Sequence, residues 1–239
     1  MKTEQFQKKL GIEFKNKDLA ERIFIHRSYL NENRGSKLEH NERLEFLGDA
    51  VLELCVTQYL YDKYDKPEGE MTNLRSALVK GESLSTEAKR IGMNELMLTS
   101  RGEAKNTGKA RDLILANAFE ALIGAIYLDQ GYDVVYKFIE KNVVHKLPEI
   151  LEGDLWYDPK SKFQEMSQDT FGITPTYELL SDAGPDHNKI FKMSAHLEDV
   201  KVGEGEGASK QRAQSAAAKV ALDQWEDIVN NPKVKRREE

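Results

Sequence analysis

Apolar residues recur every three or four positions through most of the chain before Pro148, a spacing that is typical of amphipathic helices. Two short helices are predicted between Phe6 and Phe24, with Asp18 as an N-cap. The longer helical patterns cover residues 41–54, 72–80, 82–91, 113–128 and 134–147. Polar, glycine-containing stretches at 31–40 and 100–109 are predicted to be loops. The first part of the chain is therefore predicted to be all-helical.

The pattern changes at 148–159, where two prolines, a glycine and scattered acidic residues interrupt the helical spacing. This composition predicts a linker. Beyond it, the pattern predicts a helix, three strands and an alanine-rich helix at 160–170, 175–180, 189–197, 199–206 and 210–228. The predicted order is αβββα, a small α+β domain in which alanines let the last helix lie close on the sheet.

These patterns divide the chain into two domains and a tail. The predicted domains are 1–150, with a core at about 3–131, and 158–228. Residues 229–239 are expected to form a disordered tail, because the basic run Lys233-Val-Lys-Arg-Arg237 follows Asn230-Asn-Pro232 and lacks apolar periodicity.

The helix predicted from Asn41 to Leu54 carries several acidic residues on one face. Glu42, Glu45 and Asp49 are at positions i, i+3 and i+7, which lie within roughly a 60° arc of a helix. Like charges at this spacing repel, so the pattern indicates either a solvated acidic face or a bound divalent cation such as Mg²⁺. The predicted core stripe beside them consists of Leu44, Leu47, Val51 and Leu54.

The segment Leu113–Leu128 is apolar on nearly all sides except at Asn117 and Glu120, which share one helix face. A helix of this composition belongs in the domain interior, where an unpaired glutamate is costly. Packed against the acidic helix, it would bring Asn117 and Glu120 into one pocket with Glu45 and Asp49. We favour a Mg²⁺ site over the alternative of two separate buried hydrogen-bond networks.

The residues Glu42-Arg-Leu-Glu-Phe-Leu-Gly-Asp49 resemble the signature of the ribonuclease III endonuclease domain. The resemblance covers nearly the whole first two thirds of the chain and implies an all-helical nuclease domain. It continues through His26-Arg-Ser28, Glu68-Gly-Glu-Met71, Leu74-Arg75 and Ala118-Phe-Glu-Ala-Leu-Ile-Gly-Ala125.

The resemblance also implies roles for individual residues. Asp49 and Glu120 match the pair usually assigned to catalysis, while Glu42 and Glu68 match acidic positions near the scissile strand. Asn117 departs from the pattern, because the family most often has aspartate there. The implied ligands of Mg²⁺, for which Mn²⁺ could substitute, are Glu45, Asp49, Asn117 and Glu120.

The second part of the chain resembles a double-stranded RNA-binding domain. The motifs are Asp158-Pro-Lys-Ser161, Phe163-Gln-Glu165, Pro175-Thr-Tyr177, Gly184-Pro-Asp-His187 and Gly205-Glu-Gly-Ala-Ser-Lys210. The resemblance implies minor-groove contacts from the helix that carries Gln164 and Glu165 and from the loop Gly184–His187, called the glycine loop. It also implies phosphate contacts from Lys210 and its neighbours. The family usually has a second basic residue where this chain has Gln211. The implied RNA-binding residues are Gln164, Glu165, Gly184, Pro185, His187, Lys210, Gln211 and Arg212.

Charge limits how this domain could bind RNA. Residues 156–228 contain eight Lys and Arg against thirteen Asp and Glu, a net charge of −5. Binding must therefore rest on a local patch, and we expect modest affinity with strong salt dependence. The residues of this patch are Lys210, Arg212, Lys162 and Lys189, and the basic tail would add weak nonspecific attraction.

Composition narrows the location of the protein. The first 20 residues carry charges throughout and lack the apolar run of an export signal, and no apolar run is long enough to span a bilayer. The single Cys55 forbids an internal disulfide and is expected to be a small buried hydrophobe, which fits a reducing cytoplasm. His26 is expected to be a structural hydrogen-bonding residue rather than a ligand, and Arg75 either offsets nearby acidic charge or is simply exposed.

The expected function is Mg²⁺-dependent endonucleolytic cleavage of double-stranded RNA, in the processing of ribosomal and other structured RNA precursors. The resemblance implies a homodimer with one site per subunit that leaves a short 3′ overhang, without a small-molecule cofactor. A noncatalytic double-stranded RNA-binding or ribosome-associated protein remains the alternative, favoured only by Asn117. An acidic helical phosphohydrolase is disfavoured by the second domain.

Overall fold

The computed structural model describes residues 2–153, 156–185 and 189–234 of the chain. Within these ranges, residues up to Trp156 form one unit and residues from Tyr157 onwards form a second. The helices of the first unit are α1 (Lys2–Leu10), α2 (Lys17–Arg22), α3 (Arg27–Glu32), α4 (Glu42–Lys63), α5 (Glu68–Val79), α6 (Gly81–Ile91), α7 (Lys109–Gln130), α8 (Tyr132–Asn142) and α9 (Leu147–Glu152).

The all-helical prediction for the first unit is confirmed. Single 3₁₀ turns at Glu103–Lys105 and Val144–Lys146 supplement the helices, and one isolated parallel bridge joins Ile25 to Leu98. The apolar helix α7 lies in the interior, as its composition predicts, with eleven buried residues from Ile114 to Ile126.

The core stripe of α4 differs from the prediction at one position. Leu54 is 56% exposed, whereas Val51 and Cys55 are buried. Successive helical residues are about 100° apart, so Leu54 points well away from its neighbour Cys55. The buried side of α4 consists of Leu44, Gly48, Val51, Leu52, Cys55, Val56 and Leu60.

Helices α4 and α7 cross with their backbones in close approach, and glycine makes this possible on both. A Cβ atom added to Gly48 would lie 1.8 Å from the carbonyl oxygen of Glu120. A Cβ atom added to Gly124 would lie 2.2 Å from the carbonyl oxygen of Leu44. Real Cβ atoms do not approach backbone atoms so closely, so any other residue at either position would force the helices apart.

Several predicted boundaries need correction. Asn16, not Asp18, is the N-cap of α2, because the Asn16 side chain accepts hydrogen bonds from the backbone N–H groups of Asp18 and Leu19. The predicted linker is also too long. Residues 147–152 form α9 with Ile150 buried, and Trp156 packs against the first core.

An ion cluster around one buried carboxylate ties α6 to the end of the first unit. The carboxylate of Glu87, 2% exposed, lies 2.9 Å from Nζ of Lys146 and 2.5 Å from Nε of Arg90. Arg90 also donates to the side-chain oxygen of Asn142, and Lys146 donates to the carbonyl oxygen of Ser83. Burial alone would raise the pKa of Glu87, but the hydrogen bonds and charges of Lys146 and Arg90 lower it.

We expect Glu87→Gln to lower the free energy of unfolding by about 2 kcal/mol, because the substitution removes the charge-assisted hydrogen bonds that the buried carboxylate accepts from the partly buried Lys146 and the exposed Arg90. Since the pKa of Glu87 is lowered by folding, this contribution is present at neutral pH and is lost as pH falls below the ordinary glutamate value of 4.5. Urea unfolding at pH 7 measures the loss. The exposed Glu82→Gln in the same helix is the control, and equal effects of the two substitutions would contradict the prediction.

The second unit has the predicted αβββα order. Its elements are α10 (Pro159–Phe171), β1 (Thr176–Ala183), β2 (Ile190–Leu197), β3 (Val200–Gly207), α11 (Lys210–Asp223) and α12 (Trp225–Val229). The strands form one antiparallel sheet in the order β1-β2-β3. Helix α11 lies directly on β3, since Cβ atoms added to Gly203 and Gly205 would lie 2.4 Å and 2.2 Å from backbone atoms of Ala217.

The predicted tail begins too early. Val229 ends helix α12, and Val234 is buried against the second core, which also contains Phe163 and Phe171. Tertiary burial, rather than periodicity, orders this short segment. The remaining tail residues, 235–239, lie outside the described ranges.

Candidate active site and RNA-binding residues

The crossing of α4 and α7 brings together the four side chains predicted to form the metal site. Because Gly48 lies against the backbone of Glu120, Glu45 and Asp49 on α4 lie beside Asn117 and Glu120 on α7. Burial, together with the charges of Asp49 and Glu45, raises the pKa of Glu120 to about 7. These carboxylates are therefore close enough to repel one another.

Glu45 connects the two helices through Asn117. Burial and the charge of Glu42 raise the pKa of Glu45, while a hydrogen bond from Asn117 opposes the increase. An amide can donate this hydrogen bond, whereas an ionised aspartate at the same position could only accept. Asn117 thus donates to Glu45 through its amide nitrogen, and its amide oxygen is of the type that a hard cation binds.

This donor set fits a hard divalent cation. Three carboxylates and one amide oxygen match the oxygen ligands that Mg²⁺ takes. Burial first, and the charges of neighbouring carboxylates second, raise the pKa values of Glu45 and Glu120, and a bound cation would offset both effects. In the described ranges, no set of three or more His, Cys, Asp or Glu is already drawn together at metal-ligand spacing. Asp49 is exposed, so the site is open to a substrate.

The two outer acidic residues occupy different places. Glu42 is close enough to Glu45 to affect its pKa, and its carboxylate lies 3.7 Å from Arg27 and 3.6 Å from His40. Glu68 stands at the start of α5, where its carboxylate accepts a hydrogen bond from Thr72 and lines a different pocket between α4 and α5.

His26 and Arg75 have identifiable roles. His26 is the N-cap of α3, where its Nδ1 atom accepts a hydrogen bond from the backbone N–H of Ser28, which confirms the expected structural role. Nε of Arg75 lies 2.8 Å from Glu53, so Arg75 offsets local acidic charge as one of its two interpretations proposed.

Sequence reasoning missed some residues that build the site. Asn41, 2% exposed, donates from its side chain to the carbonyl oxygen of Ile23 and so fixes the start of α4. Gly48 and Gly124 set the helix crossing. The sequence could have indicated both glycines, because a glycine inside a strongly helical pattern often allows close packing of another element.

In the second unit, the predicted RNA-binding residues that are described are all at the surface. Gln164 and Glu165 are exposed on α10, and Lys210, Gln211 and Arg212 form the exposed first turn of α11. The N-cap of that turn is Ser209, whose hydroxyl accepts a hydrogen bond from the backbone N–H of Arg212 and which was not predicted as a cap.

The glycine loop adjoins this turn. Gly184 and Pro185 are exposed, and Gly184 has a φ of +99° that favours glycine. Lys189 and, more weakly, Lys210 lower the pKa of Asp182 at the end of β1, so the loop that follows β1 starts near the α11 turn. His187 lies outside the described residues.

Comparisons with known proteins agree with both units. Residues 16–147 match the family model described as ribonuclease-III-like, and residues 159–224 match the double-stranded RNA binding motif. The chain belongs to the ribonuclease III family. As a member of this family it is an endoribonuclease, a phosphodiester hydrolase whose second unit is a double-stranded RNA-binding domain.

Individual members of the ribonuclease III family are similar over most of the chain. Ribonuclease 3 of Staphylococcus aureus strain Mu3 is 41% identical over 222 residues, which cover 92% of this chain and 90% of that protein. The nuclease domain of ribonuclease III from Campylobacter jejuni superposes with a TM-score of 0.52 at 40% identity, covering 58% of this chain and 96% of that chain. The description of that structure refers to a region involved in dimer formation. Among the described residues of the present chain, every helix is too short or too polar to cross a bilayer.

Proposed function

We propose that this endoribonuclease is Mg²⁺-dependent and cleaves both strands of duplex RNA in the processing of ribosomal and other structured RNA precursors, in the cytoplasm. The observation that carries the proposal is the meeting of Glu45, Asp49, Asn117 and Glu120 at the α4–α7 crossing. A bound Mg²⁺ would supply a water molecule of lowered pKa and stabilise negative charge on the leaving oxygen. Mn²⁺, with similar ligand preferences, is the proposed substitute.

Within this proposal, Asp49 and Glu120 are the catalytic ligands and Glu45 and Asn117 complete the metal-binding set. Glu120 must lose its proton to bind a cation, and its raised pKa means that a proton competes for this carboxylate near neutral pH. Asn117 keeps Glu45 oriented toward the site through its amide hydrogen bond. Glu42, held by Arg27 and His40, would face the scissile strand beside this set.

The proposed path of the duplex runs from this site toward the start of α7. The loop before α7 carries two exposed cations, Arg101 and Lys105, and α7 itself begins with the exposed Lys109. Lys109 precedes Asn117 by eight residues, or roughly 12 Å along a helix axis, which is within reach of the same duplex. We refer to Ser100–Gly108 as the basic loop and propose that it binds RNA phosphates.

The second unit would hold the duplex independently of sequence. Gln164, Glu165 and the loop containing Gly184, Pro185 and His187 are proposed to lie in successive minor grooves. The proposed phosphate contacts across the intervening major groove come from Lys210, Gln211 and Arg212.

The test of the proposed function is incubation of a long RNA duplex with the purified protein, with Mg²⁺, with Mn²⁺ and with a chelator. Discrete short duplexes with 3′ overhangs in either metal, and none in chelator, are expected. Intact but electrophoretically shifted RNA in every buffer would overturn the proposal and leave only duplex binding.

We also propose that a second copy of this chain covers the outer face of α4. Phe46 and Tyr61 are 82% and 76% exposed, and because they are fifteen positions apart they lie only about 60° from each other around the helix axis. Leu54 adds a third exposed apolar side chain beside them. Large apolar side chains that are exposed together on one helix face are typical of a protein interface. An isologous dimer would bury each copy of it against the other.

The proposed dimer would also explain the position of Glu68. In a twofold arrangement with α4 helices antiparallel, the C-terminal end of α4 in one copy approaches the N-terminal half of α4 in the other. Glu68 follows that C-terminal end, near Tyr61, whereas Glu45 and Asp49 lie in the N-terminal half. Glu68 would thus complete the partner's site rather than its own.

We expect Phe46→Asp to convert the dimer to a monomer, because the substitution would bury two carboxylates at a twofold contact. Sedimentation velocity at micromolar concentration measures the mass. Leu180→Asp, at an exposed leucine of the second unit, is the control. A dimer of unchanged affinity in Phe46→Asp would exclude this face as the interface.

We expect Asn117→Asp to lower the Mg²⁺ concentration for half-maximal cleavage about tenfold. One unit charge about 4 Å from a cation is worth roughly 4 kcal/mol at an effective dielectric near 20, and about a third of this corresponds to a tenfold change in affinity. Calorimetric titration with Mg²⁺ compares the metal affinity of the variant with that of the parent in the absence of cleavage. Duplex affinity in metal-free buffer should not change, and an unaltered Mg²⁺ dependence would place residue 117 outside the ligand set.

A further inference from the structure

The segment before α3 is hydrogen-bonded to the segment that leads into the basic loop. The backbone N–H of Leu98 donates to the carbonyl oxygen of Phe24 at 2.8 Å, and that of His26 donates to the carbonyl oxygen of Leu98 at 3.0 Å. Ile25 and Leu98 form the isolated parallel bridge. These backbone bonds fix the chain as far as Leu98, two residues before the basic loop.

Beyond Leu98, the hydroxyl group of Ser28 continues the connection. It accepts a hydrogen bond from the backbone N–H of Ser100 at 2.9 Å, and it lies 2.8 Å from Nδ1 of His26. The backbone N–H of Ser28 also donates to Nδ1 of His26, at 3.3 Å. In the arrangement that satisfies all three groups, Nδ1 of His26 is an unprotonated acceptor and the Ser28 hydroxyl donates to it.

Ser100 in turn makes a hydrogen bond within the basic loop. Its hydroxyl accepts from the backbone N–H of Glu103 at 3.2 Å, at the start of the 3₁₀ turn. The backbone N–H of Arg101 donates to the carboxylate of Glu32 at 3.1 Å. None of the side chains from Ser100 to Gly108 is buried, so these polar contacts, rather than apolar packing, orient the exposed Arg101 and Lys105.

We propose that His26 and Ser28 are positioning residues for substrate, which hold the basic loop in the orientation that presents its cations to the duplex. The inference rests on the proposed function of the loop and goes beyond it, since both residues act through the loop backbone. It assigns a task to the motif His26-Arg-Ser28 that a helix cap alone does not require, because capping α3 needs His26 but not the contact between Ser28 and Ser100.

The connection is expected to depend on pH through His26. Burial lowers the pKa of His26, and Arg111 and His40 act in the same direction, while Glu103 and Glu42 oppose them. The neutral imidazole is therefore favoured at pH 7. Protonation of Nδ1 would remove the acceptor of both Ser28 groups, so the connection is present above the ordinary histidine value of 6.5 and is lost as pH falls through the lowered value.

The test compares Ser28→Ala, the conservative Ser28→Thr, and His26→Asn, whose side chain can cap a helix without titrating. For Ser28→Ala we expect KM for duplex RNA, and Kd in metal-free buffer, to rise about fivefold with kcat unchanged, the loss of one hydrogen bond. Amide hydrogen exchange should rise in the basic loop but not in the centre of α7. Ser28→Thr should restore the parent KM, and His26→Asn should remove the increase of KM between pH 7 and pH 5.5.

Two controls separate the possible failures. Ser36 is a loop serine whose hydroxyl accepts a hydrogen bond from the backbone N–H of Leu38. Ser36→Ala should leave KM and the amide hydrogen exchange of the basic loop unchanged. Arg101→Ala tests the loop's RNA contact directly. If Ser28→Ala speeds exchange while both it and Arg101→Ala leave Kd and KM unaltered, the loop does not bind substrate and the proposal is overturned. Absence of cleavage by the parent protein would refute the proposed function instead, while the Kd comparison would still decide the role of Ser28.

Discussion

Replacing Glu120 by glutamine will abolish cleavage of duplex RNA while duplex affinity stays within a few fold of the parent. The amide keeps the shape of the side chain but removes one of three carboxylates that meet at the α4–α7 crossing. Mutating a residue that merely supports a metal ligand costs about 10-fold to 100-fold, so loss of a ligand should cost more than about 100-fold in rate.

Single-turnover cleavage at saturating enzyme measures this rate, and filter binding in metal-free buffer measures affinity. Glu140→Gln, at an exposed position of α8, is the matched control and should cleave like the parent. Retained cleavage in Glu120→Gln would remove this residue from the catalytic set. A large loss of duplex binding would mean that the side chain serves the fold or the RNA surface instead.

The same substitution should alter stability in a way that depends on pH. Folding raises the pKa of Glu120 from 4.5 to about 7, so its protonated form is favoured in the native state. In metal-free buffer the parent should therefore lose stability as pH rises from about 4.5 through 7, whereas Glu120→Gln should not. At pH 8 without metal, the variant is expected to have the higher Tm, and added Mg²⁺ should raise the Tm of the parent more. Equal pH dependence in the two proteins would contradict the electrostatic account.

The candidate site could be predicted largely because helical spacing determines which side chains share a face. Glu45 and Asp49 on one helix and Asn117 and Glu120 on another were each recognisable as polar residues beside an apolar stripe. Periodicity alone does not tell where two helices cross. That position depends on Gly48 and Gly124, whose missing side chains are a tertiary feature without local periodicity.

The errors in the predicted fold also arise from tertiary contacts that local sequence does not show. Ile150 and Val234 lie in short segments with proline nearby, where local preference predicts a linker or a tail, yet both side chains are buried. Long-range packing orders these segments despite the loss of conformational entropy, and the local sequence pattern does not show this packing. Leu54 is the converse case, an apolar side chain at helical spacing that stays exposed and that the proposed dimer would cover.

We expect Gly48→Ala both to destabilise the first unit and to abolish cleavage, because Gly48 lies at the crossing of α4 and α7. The added Cβ atom would lie 1.8 Å from the carbonyl oxygen of Glu120, which is backbone and cannot rotate away. Forcing extra atoms into a packed core typically costs about 1–3 kcal/mol, and a backbone contact should reach at least the upper figure. Separating α4 from α7 would also move Glu45 and Asp49 away from Asn117 and Glu120.

Urea unfolding and cleavage of the same duplex measure the two effects of Gly48→Ala. Gly124→Ala should reproduce both, since its Cβ atom would lie 2.2 Å from the carbonyl oxygen of Leu44 on the opposite helix. Gly35→Ala is the control, because a Cβ atom there meets nothing within 4 Å and the change should leave stability and activity intact. Normal cleavage by Gly48→Ala or Gly124→Ala would mean that the four side chains need not be held by this crossing. Lost stability with intact cleavage would likewise separate the packing of these helices from the geometry of the site.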